Sequence, residues 1–164
     1  MSYVGVDIGG TKILVTTEDA TGVHTVSASV GIPGVVLPNG RCWAPNATAI
    51  NNVDLTAEVQ RRWGVLAIVA NDAKMALLAE TAETPVSQAS PVVLIAVGTG
   101  IGGAIKIGDS ILDGHRGTAG SFGWLRINTD AGWKPWEDVA SGRALDEAAR
   151  DLGLANGPAL MMMA

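Results

Sequence analysis

VGVDIGGTKILV, Val4–Val15, is a strand-like run that breaks on two glycines beside an aspartate and resumes as a second strand-like run. A two-glycine hairpin alone explains Gly9-Gly10. It does not explain Asp7 or Thr11. A second stretch, VLIAVGTGIGGAIKIG (Val93–Gly108), repeats the pattern of strand, glycine turn with threonine, and strand. A tight glycine turn aims several backbone N–H groups into one concavity, which binds anions and phosphate above all. Glycine is needed because a side chain would keep the phosphate from the backbone. Gly9, Gly10 and Thr11 make one such nest, and Gly98, Thr99, Gly100 and Gly102 a second. Asp7 at the rim of the first would repel phosphate, so its presence points to Mg²⁺ held through water.

The bulk properties fit a folded α/β protein. The chain has 164 residues, of which 48% are hydrophobic, enough for a real core. Glycine, at 21 residues, is clustered in the turns rather than spread along a linker. Lys+Arg number 11 against 16 Asp+Glu, a net charge of −5, which argues against nucleic acid as the partner. The single cysteine, Cys42, excludes an internal disulfide and a Cys-based zinc cluster. MSYVGVDIGG lacks the basic and apolar regions of a signal peptide, and no apolar run reaches a membrane span. A cytoplasmic protein with no membrane partner is expected.

Strands are predicted at Tyr3–Ile8, Lys12–Thr17 and, as a third antiparallel strand, Val23–Val26. NVDLTAEVQRRWG predicts a helix capped by Asp54 and closed by Gly64. Val65–Val69 reads as a buried strand, and NDAKMALLAET as a helix with Met75, Ala76 and Ala79 at helical spacing. Polar ETPVSQAS (Glu83–Ser90) is the expected boundary, dividing the chain into 1–86 and 87–164. Pro91–Val97 and Ala104–Ile107 flank the second glycine turn. SGRALDEAARDLG predicts a capped helix with the stripe Leu145, Ala148, Ala149 and Leu152, and with pairs Arg143–Glu147 and Asp146–Arg150. ANGPALMMMA shows no recognisable element.

Asn71-Asp72 ends a strand and opens a helix. Asp72 there can be an N-cap or a first-turn acid. It can equally face the crevice at the carboxyl end of a sheet and take the proton from an alcohol attacking a γ-phosphate.

Together these segments resemble the ROK family of bacterial sugar kinases. VGVDIGGTKI and VGTGIGGAI resemble its two phosphate motifs, GIPGVV with WAPN its sugar loop, and NDAKMALLAE its catalytic segment. GHRGTAGSFGWL and WEDVASGRAL follow in the same order, and the matches cover most of Tyr3 to Leu145. The resemblance implies an actin-like ATPase (ribonuclease H-like) fold, with two α/β lobes around a cleft and the second incomplete. It implies phosphoryl transfer from ATP to a hexose, with Mg²⁺. Asp72 is then the base. Gly34, Asn46, Asn71, Asp72 and Ser121 bind the sugar. Asp7, Gly9, Gly10, Thr11, Lys12, Gly98, Thr99, Gly100 and Gly102 hold the nucleotide and its metal.

The departures shape the expectation. Ser121 stands where the family's AGE-x-GH has glutamate, and Trp124 where it has histidine. NTDAGWKPWED replaces the family's cysteine-rich zinc motif, so no zinc is expected. Trp124 either stacks on a sugar face or simply packs. The chain reads as internally shortened: VHTVSASVGIPG runs from the third strand into the sugar loop without the usual helix, which predicts uncovered apolar sheet surface. It also reads as truncated after Leu152, without an adenosine-binding segment. The rival readings are a catalytically inactive sugar- or phosphate-binding remnant and an assembly protein of the same fold, for which a homo-oligomer is the expected form. No helix-turn-helix precedes Met1, so a repressor is not implied.

Overall fold

The computed structural model describes residues 2–9, 13–18, 25–82 and 89–162. In chain order the elements are β1 Ser2–Ile8, β2 Ile13–Glu18, β3 Thr25–Ile32, β4 Val35–Val36, β5 Cys42–Trp43, α1 Leu55–Trp63, β6 Leu66–Asn71, α2 Asp72–Ala82, β7 Val92–Val97, β8 Ile101–Ile107, β9 Ser110–Ile111, β10 Arg126–Thr129, β11 Gly132–Pro135, α3 Glu137–Ala140, α4 Gly142–Asp151 and α5 Gly157–Met161. The expected boundary at Glu83–Ser90 lies largely outside the described residues.

The first sheet has the order β2-β1-β3-β6. β2 returns antiparallel on β1, with Val6 opposite Val15. The third strand differs from expectation. Thr25–Ile32 forms one strand running parallel to β1, with Tyr3 opposite Ser27 and Asp7 opposite Gly31. The expected antiparallel Val23–Val26 is therefore not a separate strand; Val23 and His24 lie outside the described residues. β2 ends and β3 begins at the same end of β1, so a short connection suffices to put β3 on its other side.

One face of this sheet carries the core. Val30, Ile32 and Cys42 are buried there, with Val6, Ile8, Leu55, Val59 and Val69 packed around them. Burial pushes the Cys42 thiol above its usual pKa. α1 covers this face. Asp54 caps it by accepting from the Ala57 N–H at 2.9 Å, and Gly64 closes it in the left-handed conformation at φ +67°. The opposite face is covered by α2 at Gly31, where a Cβ would meet Asp72 and Met75, and is open beyond it. Tyr3, Leu66 and Ile68 lie on it at 45%, 71% and 65% exposure, which matches the uncovered surface expected from the missing helix.

α2 packs between the two sheets. Its buried positions are Ala73, Lys74, Leu77 and Thr81 rather than the Ala76 and Ala79 of the sequence reading. The second sheet is β7-β8-β9. β8 buries Ile101, Gly103, Ala104 and Lys106. Gly103 has to be glycine, since a Cβ there would lie 2.4 Å from the Phe122 ring and 2.5 Å from the Leu94 carbonyl.

α4 buries Ala144 and Ala149, while Leu152 is 67% exposed. Arg143 pairs with Glu147 at 3.3 Å as expected. The second expected pair is replaced: Arg150 Nε donates to the Asp146 carbonyl, and the Asp146 carboxylate accepts from the Gly157 N–H. That contact docks α5, which the sequence reading missed although its signal was present. Asn156 caps it, accepting from the Ala159 N–H, and Pro158 sits in its first turn. Among the described residues, no helix is long and apolar enough to cross a membrane.

Candidate active site

The first glycine turn follows β1. Asp7 lies on the exposed end of that strand, one pairing step from Ile8. Gly9 is described; Gly10, Thr11 and Lys12 of the expected nest lie outside the described residues. Beside Asp7, on β3, is Gly31. A Cβ at Gly31 would lie 3.5 Å from Asp7 Oδ1 and 3.5 Å from Asp72 Cα. The two acidic residues therefore flank the same bare patch of backbone.

Asp72 is the first residue of α2, at the carboxyl end of β6. It does not cap the helix. Asn71 does, through Oδ1 accepting from the Lys74 N–H at 3.1 Å. Asp72 Oδ1 accepts from the Ala73 N–H at 2.8 Å, which leaves Oδ2 for other work. Burial raises the Asp72 carboxyl above the usual carboxylate pKa, and the negative charge of Asp7 adds to the rise.

Asn71 has a second tie. Its Nδ2 donates to the Gly34 carbonyl at 3.1 Å, fastening the Gly34 segment to the start of α2. Gly34 is itself wedged against β5: a Cβ there would lie 2.2 Å from the Trp43 carbonyl and 2.8 Å from Ala44 Cα. Asn46, further along this loop, is exposed and points toward the second glycine turn, its Nδ2 4.0 Å from the Cβ position of Gly100.

The second turn is tighter than the sequence suggests. It comprises Gly98, Thr99 and Gly100. Gly102 falls within β8 opposite Ala96, so it does not belong to the turn; its Cβ position is 3.7 Å from Ala73 Cβ, where β8 approaches α2. The Gly98 N–H turns back onto the Gly100 carbonyl at 2.9 Å. The Gly98 carbonyl accepts from the Gly142 N–H at 2.7 Å, pinning the turn to the start of α4. Thr99 and Gly100 keep N–H groups that donate to nothing among the described residues.

Glu137, in the first turn of α3, escaped the sequence reading. Its Oε2 accepts from the Ile101 N–H at 3.3 Å and lies 2.7 Å from the Cβ position of Gly100 and 3.0 Å from that of Gly123. Only the acid in WEDV hints at it, and a first-turn acid is ordinary. Ser121 is exposed at the start of a 3₁₀ turn, Phe122–Trp124, and its side chain caps nothing. Trp124 meets Trp43 with ring centroids 5.9 Å apart and planes tilted by 54°. Both indoles stay about half exposed, at 55% and 41%.

Asp7, Asp72, Asn71, Gly34, Asn46, Gly100 and Glu137 thus gather at the carboxyl ends of β3 and β6 and the tip of the β7–β8 turn. Among the described residues no three His, Cys, Asp or Glu side chains group closely enough to hold a metal. Asp7 and Asp72 are the oxygen donors that suit a hard cation.

The order of these segments is that of a known family. The ROK family profile matches residues 14–160. The chain belongs to the ROK family. A glucokinase of Streptomyces coelicolor is 31% identical, the match taking in 90% of this chain and 58% of that protein. An N-acetyl-D-glucosamine kinase of Pectobacterium atrosepticum is 30% identical over 79% of this chain and 54% of its own length. Among solved structures, a ROK family glucokinase from Streptomyces griseus, in complex with glucose and AMPPNP, superposes with a TM-score of 0.78 at 28% identity, covering 92% of this chain and 61% of that one. A ROK hexokinase from Thermus thermophilus shares the fold at a TM-score of 0.68. The fold is therefore the actin-like ATPase fold of ROK sugar kinases. The chain spans between half and two thirds of the length of these relatives. The S. coelicolor match runs over 185 residues yet takes in only 90% of this chain, so that relative carries several tens of residues within the matched span that have no counterpart here.

Proposed function

We propose that this chain catalyses ATP-dependent phosphorylation of a hexose hydroxyl, with Asp72 as the general base. The observation that carries this reading is a half-buried Asp72 at the carboxyl end of β6, where it flanks Gly31 together with Asp7. A raised pKa makes Asp72 a stronger base than an ordinary carboxylate, which suits removal of an alcohol proton. Oδ1 is held by the Ala73 N–H, so Oδ2 takes the proton. As the sugar oxygen bonds to the γ-phosphorus, the bond from that phosphorus to the β–γ bridging oxygen breaks. The electron pair stays on ADP.

The turns supply the phosphate contacts. Thr99 and Gly100 offer free N–H groups, and the turn they belong to is fixed by Gly142, so it need not reorganise as charge develops. Gly9, Gly10, Thr11 and Lys12 are proposed to add further phosphate contacts. Asp7 would hold Mg²⁺, which would neutralise charge on the phosphates and ease the repulsion between Asp7 and Asp72. On the sugar side, Asn71 keeps one N–H and one lone pair beyond its structural bonds. Asn46, the Gly34 backbone and Ser121 add polar contacts. Trp43 and Trp124 form an aromatic wall on which the apolar face of a pyranose stacks.

The relatives named for glucose and N-acetylglucosamine make these the first substrates to assay. ADP release is measured with each sugar, with Mg-ATP, and with Asp72→Asn. Turnover abolished by Asp72→Asn supports the reading. A well-folded wild-type chain that turns over neither sugar refutes it. The second reading, a sugar- or phosphate-binding module without turnover, draws on Ser121 and Trp124, which offer no carboxylate and no titratable ring. Saturable sugar binding without ADP release decides for it.

A further inference from the structure

A cleft of about 360 Å³ lies between the β4 segment, the end of β6, the first turn of α2 and the loop 113–117. Asn71 lines it, whereas Asp72 and the Gly98–Gly100 turn do not. Val35, Val36 and Val69, buried or half-buried, make its apolar wall, and exposed His115 and Arg116 stand at its mouth. Lys74 reaches it from α2. Its side chain is 10% exposed, and its ammonium donates to Asp113 Oδ1 at 2.7 Å and to the Gly117 carbonyl at 2.9 Å. One ammonium N–H is left over. Asp113 is 75% exposed, so water competes for the carboxylate that holds Lys74. Arg116 and His115 have no hydrogen-bond or ion-pair partner among the described residues. A cleft of this size with apolar walls and a few convergent polar groups has the makeup of a small-molecule site. Its cationic mouth stands out in a chain of net charge −5.

We propose that this cleft binds an organic phosphate monoester, with the phosphoryl group at Arg116, His115 and Lys74 and the organic body against Val35, Val36 and Val69. Three nitrogen-bearing side chains suit the three oxygens of a phosphoryl group better than the two of a carboxylate. The apolar wall calls for an ester rather than free phosphate, which would leave that wall facing water. The site shares none of the residues of the glycine turns proposed for ATP, and it adjoins the proposed sugar side through Asn71.

The test is calorimetric titration of the whole chain with phenyl phosphate, inorganic phosphate and benzoate at low salt. Phenyl phosphate is expected to saturate one site and to bind at least fivefold more tightly than either of the others. Arg116→Glu is expected to weaken it at least tenfold while leaving the melting temperature unchanged, since Arg116 is exposed and unpartnered. Asp113→Asn is expected to tighten it by freeing Lys74. Absence of saturation in the wild type overturns the proposal. So does phenyl phosphate binding that is indifferent to Arg116→Glu, which places the anion in the glycine turns. Equal binding of benzoate overturns the assignment to phosphate.

Discussion

Replacing Gly34 with alanine tests the joint between the Gly34 loop and the start of α2. The added Cβ would lie 2.2 Å from the Trp43 carbonyl and 2.8 Å from Ala44 Cα, where real contacts are not below 3.0 Å. The loop and β5 must part by about 0.8 Å, and both close contacts are backbone atoms, so no side chain can swing aside. Ala44 is fully buried, which closes off relaxation on that side. Overpacking of this kind costs about 1–3 kcal/mol. Drawing the Gly34 carbonyl off Asn71 Nδ2 adds about 1 kcal/mol. The sum is roughly 2–4 kcal/mol, or a melting point lower by roughly 4–16 °C for a chain of this size. Turnover should fall further than stability, because a shift of about 1 Å in a positioning group can cost about 10²-fold in rate. Gly98→Ala is the control, since its Cβ would meet nothing within 4 Å. Scanning calorimetry of the two variants settles it. A Gly34→Ala protein melting within about 1 °C of wild type, or no lower than Gly98→Ala, would refute the steric reasoning.

Three further outcomes follow from the site and the sheet. Asp72→Asn should abolish phosphoryl transfer yet melt at or above the wild type at neutral pH. The native carboxyl holds its proton to a higher pH than the unfolded one, so the stability it contributes at low pH is lost as pH rises through its raised pKa. The amide removes that loss, and the difference in melting temperature should close as pH falls below the ordinary carboxylate range; a gap independent of pH would contradict this. Glu137→Ala should cost about 1–2 kcal/mol in urea unfolding by orphaning the Ile101 N–H, with Glu137→Gln recovering most of it; an alanine variant as stable as wild type would remove Glu137 from the turn. Leu66→Lys and Ile68→Lys should each change stability by less than about 0.5 kcal/mol, because both side chains already face solvent; a loss of about 2 kcal/mol would show that this face is covered in solution.

The parts of the site that were legible are local. Both glycine hairpins, Asp7 at the rim of the first, and Asn71-Asp72 between a strand and a helix announce themselves within a few residues, because turn chemistry and capping are short-range. Where the reading failed, a distant partner decided the outcome. Thr25–Ile32 has strand propensity either way, and only its neighbour fixes it as parallel to β1. Gly102 looks like part of a glycine turn until the β7 pairing places it in a ladder. Glu137 sits 36 residues from the N–H it binds. Asn71 and Asp72 compete for the same cap, and the Lys74 N–H settles it for Asn71, leaving Asp72 free. The α5 cap is local too, written in the sequence as Asn156-Gly157-Pro158.

The sheet order has one more consequence. β6, the strand that delivers Asp72, is the last in its sheet and pairs with β3 alone among the described residues. An edge strand has one row of amides locked and one row facing outward. In hydrogen exchange, alternate amides along Leu66–Asn71 should therefore part into a slow and a fast set. Asp72 rides on a strand clamped from one side, and its lateral position is set by what lies at the end of that strand: the Asn71 amide gripping the Gly34 carbonyl, and α2 seated on β8.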